Sequence, residues 1–192
     1  MMANTISLLP RSAKSALALA GFVALCLVVG GLGALLTAPG LEPWYAGLQK
    51  PGFNPPSWIF GPVWSTLYVL MAYAVWRIWS SDPHPSLLKA GGPKSGGPKE
   101  GGPKAGKPKA DRAKAYWAFA VQLLLNLCWS GAFFFLQSPG FALIVIICLL
   151  AAIVTTIVLF FRLDKLSGAL FVPYVLWVCF ATVLNFSIFL LN

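Results

Sequence analysis

Residues 141–161 read FALIVIICLLAAIVTTIVLFF, without a single charged side chain. A helix over this stretch rises about 32 Å at 1.5 Å per residue, enough to cross a hydrocarbon core of about 30 Å. In hydrocarbon every backbone N–H and C=O must be satisfied within the segment, and a helix does this. Four further stretches share this character, at about 15–37, 58–79, 113–136 and 168–191. The chain is expected to be an all-α integral membrane protein, a bundle of five transmembrane helices spanning residues 15–192 behind a short tail, residues 1–14. A signal peptide has basic flanks like Arg11 and Lys14, but its apolar region covers about 7–15 residues before a small-residue cleavage site, and the run from Ser15 is longer and lacks one.

Composition agrees: 58% of residues are hydrophobic, 10% are charged and mean hydropathy is +0.78, against about 25% charged in soluble domains. In a soluble domain the net charge of +9 would suggest nucleic acid. Here eight of the fourteen basic residues fall between Lys89 and Lys114, so the charge reads as topology and no nucleic-acid partner is expected. With the N-terminus on the cytoplasmic side, thirteen of the fourteen lie inside and only Lys50 lies outside.

Residues 80–112 separate the second and third apolar stretches. They contain the unit GGPK three times, at 91–94, 96–99 and 101–104, followed by GKPK. Such a tract buries too little apolar surface to offset its ordering entropy, and a flexible linker is expected. Attraction to anionic lipid headgroups, at about 1 kcal/mol per basic residue, is the functional alternative. His84 reads as a loop residue, and Cys26, Cys128, Cys148 and Cys179 read as buried apolar residues without CxxC spacing, so no metal site is expected.

The spans hold no Asp or Glu, and Arg77 stands at a helix end where it can snorkel. That disfavours ion-coupled transport and acid/base hydrolysis. What the spans offer is neutral polarity beside aromatic surface. Gln122, Asn126 and Ser130 share a face of the third helix next to Trp129 and Phe133. Tyr174, Trp177, Ala181 and Asn185 share one on the fifth, and Trp64 and Tyr68 one on the second. The connection before the second helix, Trp44–Tyr68, is rich in aromatic residues and carries Pro51, Pro55, Pro56 and Pro62. Trp44, Trp58, Trp76 and Trp79 read as interfacial anchors, and the prolines as a stiff lid. Ser57 is expected to cap the second helix. A cavity lined by indoles and amides suits a large, flat, mostly apolar ligand with polar edges, such as a tetrapyrrole or a sterol.

These residues resemble the tryptophan-rich sensory protein or translocator protein family (TspO/MBR), also called the peripheral-type benzodiazepine receptor family. The resemblance rests on Trp44-Tyr45, Leu48-x-Lys50-Pro51, Pro55-Pro56, Pro62-x-Trp64 and Leu67-Tyr68. It continues in Gln122-x3-Asn126-x2-Trp129-Ser130 with Phe133-Phe134, and in Pro173-Tyr174-x2-Trp177-x2-Phe180-Ala181-x2-Leu184-Asn185. It implies a five-helix bundle, often a homodimer in the lipid bilayer, whose first loop closes over a site for porphyrins, heme-related tetrapyrroles, cholesterol or benzodiazepine-type ligands. Tyr45, Pro55, Trp64, Tyr68, Asn126, Ser130, Phe133, Trp177 and Ala181 are the residues expected to line it, with no cofactor required beyond the tetrapyrrole as ligand. The protein would then be a receptor or sensor. Light- and oxygen-dependent porphyrin breakdown, with Trp64 and Trp177 implicated, and transport of porphyrin or cholesterol are the alternatives.

Three features depart from the family pattern: the GGPK insertion, a fourth helix without tryptophan or acid, and no basic residue following Tyr174 where a cholesterol motif is expected. Weak sterol patterns occur instead at Leu70/Tyr73/Arg77 and Lys114/Tyr116/Val121, so sterol binding ranks below porphyrin binding.

Overall fold

A computed structural model describes residues 11–81 and 109–192. Most of the tail, most of the expected linker with its GGPK units, and His84 lie outside the described residues. Within them five helices are long and apolar enough to cross a membrane. Helix α1 covers Arg11–Gly40, α2 Phe60–Ser80, α3 Lys109–Ser130 and α4 Pro139–Leu163. The last span is divided into a short α5, Lys165–Ala169, and α6, Val172–Leu191. Neighbour contacts run α2–α1–α3–α4–α6, and α5 touches α2 to complete the ring.

The helix ends depart from the sequence expectation for physical reasons. Helix α1 continues to Gly40 with Pro39 in its last turn, and the chain breaks where Glu42 turns extended (φ −131°, ψ 133°). Gly40 lies so close to the third helix that a Cβ would overlap the Phe134 carbonyl oxygen. Ser57 does not cap α2. It opens a single 3-10 turn, Ser57–Ile59, whose N-cap is Pro56, and Ile59 N–H bonds to the Pro56 carbonyl at 3.1 Å. Residues 109–112, expected in the linker, are the first turn of α3. Arg112 is buried there and donates to the carbonyls of Ile78 at 2.7 Å and Ser81 at 3.1 Å, closing the C-terminal end of α2. Helix α3 passes into a wider π-helical turn, Gly131–Phe135. The fifth span breaks before Pro173, which has no N–H to bond the Ala169 carbonyl.

Arg77 does not simply snorkel. Its Nε and Nη2 donate to Asp164 at 2.9 and 3.2 Å. Asp164 also accepts from the Ser167 backbone N–H and hydroxyl at 2.9 and 2.6 Å, as the N-cap of α5. This pair ties α2 to the α4–α5 corner, and the Arg77 hydrogen bond holds the Asp164 carboxyl well below the usual carboxylate range. Arg77 is thus already engaged within one of the two weak sterol patterns.

The solid core occupies the Asp164 end of the bundle, where Phe119, Phe160 and Phe171 are buried together; the Phe160 and Phe171 rings stand edge to face at 5.1 Å. Of the cysteines, only Cys26 is buried. Cys128, Cys148 and Cys179 face outward, where lipid makes the exterior of a span as apolar as its interior.

Candidate functional site

At the other end the helices part around a cavity of about 560 Å³, within the range of about 300–1,000 Å³ for small-molecule sites. Its floor is a hydrogen-bonded chain. The Tyr68 hydroxyl donates to Asn126 Oδ1 at 2.7 Å, and Asn126 Nδ2 donates to the Tyr174 hydroxyl at 3.1 Å. Trp64 leans on Tyr68 with ring centroids 5.7 Å apart and meets Tyr174 edge-on at 6.2 Å. On the opposite wall Trp129 Nε1 donates to Asn185 Oδ1 at 3.1 Å, and Asn185 Nδ2 donates to the Pro139 carbonyl at 2.9 Å. Phe133 is the hub of the aromatic surface, stacked with Trp129 at 5.6 Å and edge-on to Trp44 at 5.5 Å.

The first loop covers the cavity. Tyr45 donates through its hydroxyl to Asn54 Oδ1 at 3.1 Å, and Asn54 Nδ2 donates to the Pro55 carbonyl. Lys50 Nζ sits 4.6 Å from the Tyr45 ring centroid and donates to the carbonyls of Ala46 and Leu48. A reciprocal pair ties the loop to the end of α6: Gln49 N–H donates to Asn192 Oδ1, and Asn192 Nδ2 donates to the Gln49 carbonyl, both at 3.0 Å.

Eight of the nine residues singled out in the sequence, Tyr45, Pro55, Trp64, Tyr68, Asn126, Ser130, Phe133 and Ala181, stand on the wall of this one cavity. Trp177 does not. It lies in a shallow groove between α2 and α6 with Pro62, Val63 and Leu67, and Phe60, which does line the cavity, stands edge-on to it at 5.8 Å. The reason is angular. At about 100° per residue, Asn185 and Ala181 fall within about 20° of Tyr174 and Trp177 about 60° away, enough to turn a large ring to the neighbouring interface. The indole Nε1 of Trp177 is buried without a partner there. Gln122 lies below the cavity, with Nε2 at 3.7 Å from Met71 Sδ.

Trp44 is half-buried and packs edge-on against Phe133. Trp76 donates from Nε1 to the Ser15 carbonyl at 2.9 Å. Trp58, 73% exposed, keeps the surface position expected of an anchor. Unforeseen from sequence is the wall supplied by α1, including Gly30, Gly31, Gly33 and Thr37. The glycine run within a long apolar stretch was its available signal.

No lining residue is charged, and most polar groups on the wall are already engaged with one another. The Ser130 hydroxyl is different. Among the described residues it has no hydrogen-bond partner, so it is free to meet a ligand's polar edge from within an otherwise aromatic wall.

The family model described as "TspO/MBR family" matches residues 22–191. The chain belongs to the TspO/MBR family. It is 36% identical over 179 residues to the tryptophan-rich protein TspO of Chlorobaculum tepidum, covering 93% of this chain and 98% of that protein. It is 33% identical to the tryptophan-rich sensory protein of Cereibacter sphaeroides, covering 89% of each. With the human translocator protein it shares 34% identity over 76% of this chain and 72% of that one. This TspO/MBR member is therefore an integral, multi-pass membrane protein, in a family whose members carry the names sensory protein and translocator protein.

Proposed function

We propose that the chain is a membrane receptor for a large, flat, apolar ligand with polar edges, a tetrapyrrole such as protoporphyrin, held in the cavity beneath the first loop. The observation that carries this reading is the wall itself: aromatic, uncharged, with Trp64 and Phe133 offering ring surface and the Ser130 hydroxyl unengaged. A ligand's carboxylates find no charged partner inside; the nearest cation on the loop is Lys50, whose Nζ lies over the Tyr45 ring. A sterol meets the same apolar criterion but makes less use of the stacked rings.

Titration of protoporphyrin IX into the solubilised protein tests it through quenching of tryptophan emission. The expected result is saturable quenching, with Kd raised about tenfold, or about 1.4 kcal/mol, by Trp64→Phe. Trp177→Phe, outside the cavity, changes Kd by less than about twofold. Non-saturable quenching, or equal effects of the two substitutions, overturns the assignment. Transport and photo-oxidative breakdown both begin from this same complex. Vectorial uptake into proteoliposomes distinguishes the first, and porphyrin decay faster than in empty micelles under light and oxygen distinguishes the second. The charge bias favours an N-terminus on the cytoplasmic side, and the homodimer that the family resemblance implies is read by light scattering in detergent.

A further inference from the structure

The cavity's walls are of two kinds. Those from α3 and α6 are shut away from the surface: Asn126 is 3% exposed, Phe133 2% and Asn185 2%. These three residues therefore add little accessible area to the cavity's inner surface. Gly31, Ala34 and Ala38 of α1 and Gly61 and Ser65 of α2 line the same cavity, yet all five are exposed. Exposed and lining the cavity at once, they stand at the two edges of an opening.

Helix α1 makes a close contact at either end of the opening. Toward the middle of the membrane Gly30 brings α1 onto α2, where a Cβ would stand 2.7 Å from Tyr68 Cε2. Ten residues further on, α1 is held instead to the end of the third helix, where Gly40 presses against the Phe134 backbone. Between these two contacts α1 advances about 15 Å. Over that length the exposed edge residues carry nothing larger than a serine side chain, with the exposed lining leucines Leu27 and Leu41 just beyond its two ends, and a Cβ at Gly31 or Gly61 meets no atom within 4 Å. Small residues in membrane helices ordinarily allow close helix packing; Gly31 and Gly61 face open space instead. Both edges lie inside segments long and apolar enough to cross a membrane, so the gap opens on the face of the bundle that the bilayer surrounds. The water-facing side, by contrast, is closed by Tyr45, Asn54 and Pro55 and tied at Gln49–Asn192.

We propose that the gap between α1 and α2 is a lateral portal, through which a ligand dissolved in the bilayer reaches the cavity while the first loop stays shut. The inference rests on the ligand class above only in requiring that the ligand partition into lipid.

Two measurements test it. The first uses protein with its four cysteines replaced by alanine and a Gln49→Cys/Asn192→Cys pair bridged by a bis-maleimide, reconstituted in phosphatidylcholine vesicles and given membrane-dissolved protoporphyrin IX. The bridged protein is expected to bind at the unbridged rate. Adding Gly61→Phe, or separately Gly31→Phe, slows binding about tenfold, within the one to three decades by which association rates vary among variants of one site. Loss of binding on bridging, or wild-type rates in both folded phenylalanine variants, overturns the portal.

The second measurement is independent of ligand identity. In phosphatidylcholine brominated on its acyl chains, wild-type tryptophan emission is quenched more than that of either phenylalanine variant, because the portal exposes Trp64 to lipid; equal quenching overturns the proposal. If protoporphyrin does not bind even the unbridged wild type, the tetrapyrrole reading falls, and the bromine measurement alone decides the portal.

Discussion

The cavity's chemistry is set by single side chains whose hydrogen bonds are either spent or free. Asn126 is spent twice, accepting from Tyr68 and donating to Tyr174. Asn126→Leu leaves two buried hydroxyls to find new partners and is expected to lower unfolding free energy by about 1–3 kcal/mol in an SDS titration. Ser130 is free, so Ser130→Ala should leave stability unchanged and weaken a ligand with hydrogen-bonding edges by about 0.5–1.5 kcal/mol. A hydrocarbon ligand of similar shape should bind both proteins alike; an equal loss for the two ligands would assign Ser130 a packing role. Both residues could be found in the sequence because Asn126 and Ser130 are one helical turn apart and neutral polar groups stand out in an apolar span. Which of them retains hydrogen-bonding capacity depends on where Tyr68 and Tyr174 arrive, and spacing along one helix carries no such information.

Among the helices and their junctions, glycines and one carboxylate decide how closely segments meet. Gly40→Ala forces a Cβ into the Phe134 carbonyl, backbone against backbone, whereas Gly31→Ala fills open space. The first should lower the thermal midpoint and the yield of folded protein, and the second should stay within about 0.5 kcal/mol of wild type. At the opposite end Asp164 serves both Arg77 and the first turn of α5. Asp164→Asn keeps a capping oxygen but removes the charge, at about 1 kcal/mol for a partly exposed pair; Asp164→Ala also loses the cap, about 1 kcal/mol more. Because Arg77 lowers the folded carboxyl's pKa, the ionised form's contribution is complete above the unfolded value of about 3.9 and lost as pH falls further toward the folded one. The midpoint difference between wild type and Asp164→Asn should therefore be constant from about pH 8 to 5 and shrink below about pH 4. A difference that instead grew on acidification would show that the carboxylate is not held by the arginine.

Across the whole molecule, a packed aromatic end sits opposite a hollow one, and the lid and the α1–α2 gap are two separate boundaries of the same space. Cutting the Gln49–Asn192 tie with Asn192→Ala should hasten exchange with ligand presented in water more than with ligand presented in lipid, as measured by stopped-flow fluorescence. Equal acceleration from both phases would mean that the loop governs both routes. The number of spans, their helical form and the aromatic and polar residues of α2, α3 and α6 could be read in the chain, since hydrophobic length and 3.6-residue spacing are local properties. The family resemblance carried by those motifs pointed to eight of the cavity's residues. Tertiary packing decided the rest. It turned Trp177 to the α2 groove, since a 60° offset on a helix is harmless in a pattern and decisive for a large ring. It paired Arg77 with Asp164 across 87 positions. It also set Gly30 against Tyr68 and its neighbour Gly31 beside an open gap: small residues permit close approach, but only the placement of both helices determines whether a neighbour, a ligand or lipid takes up the room they leave.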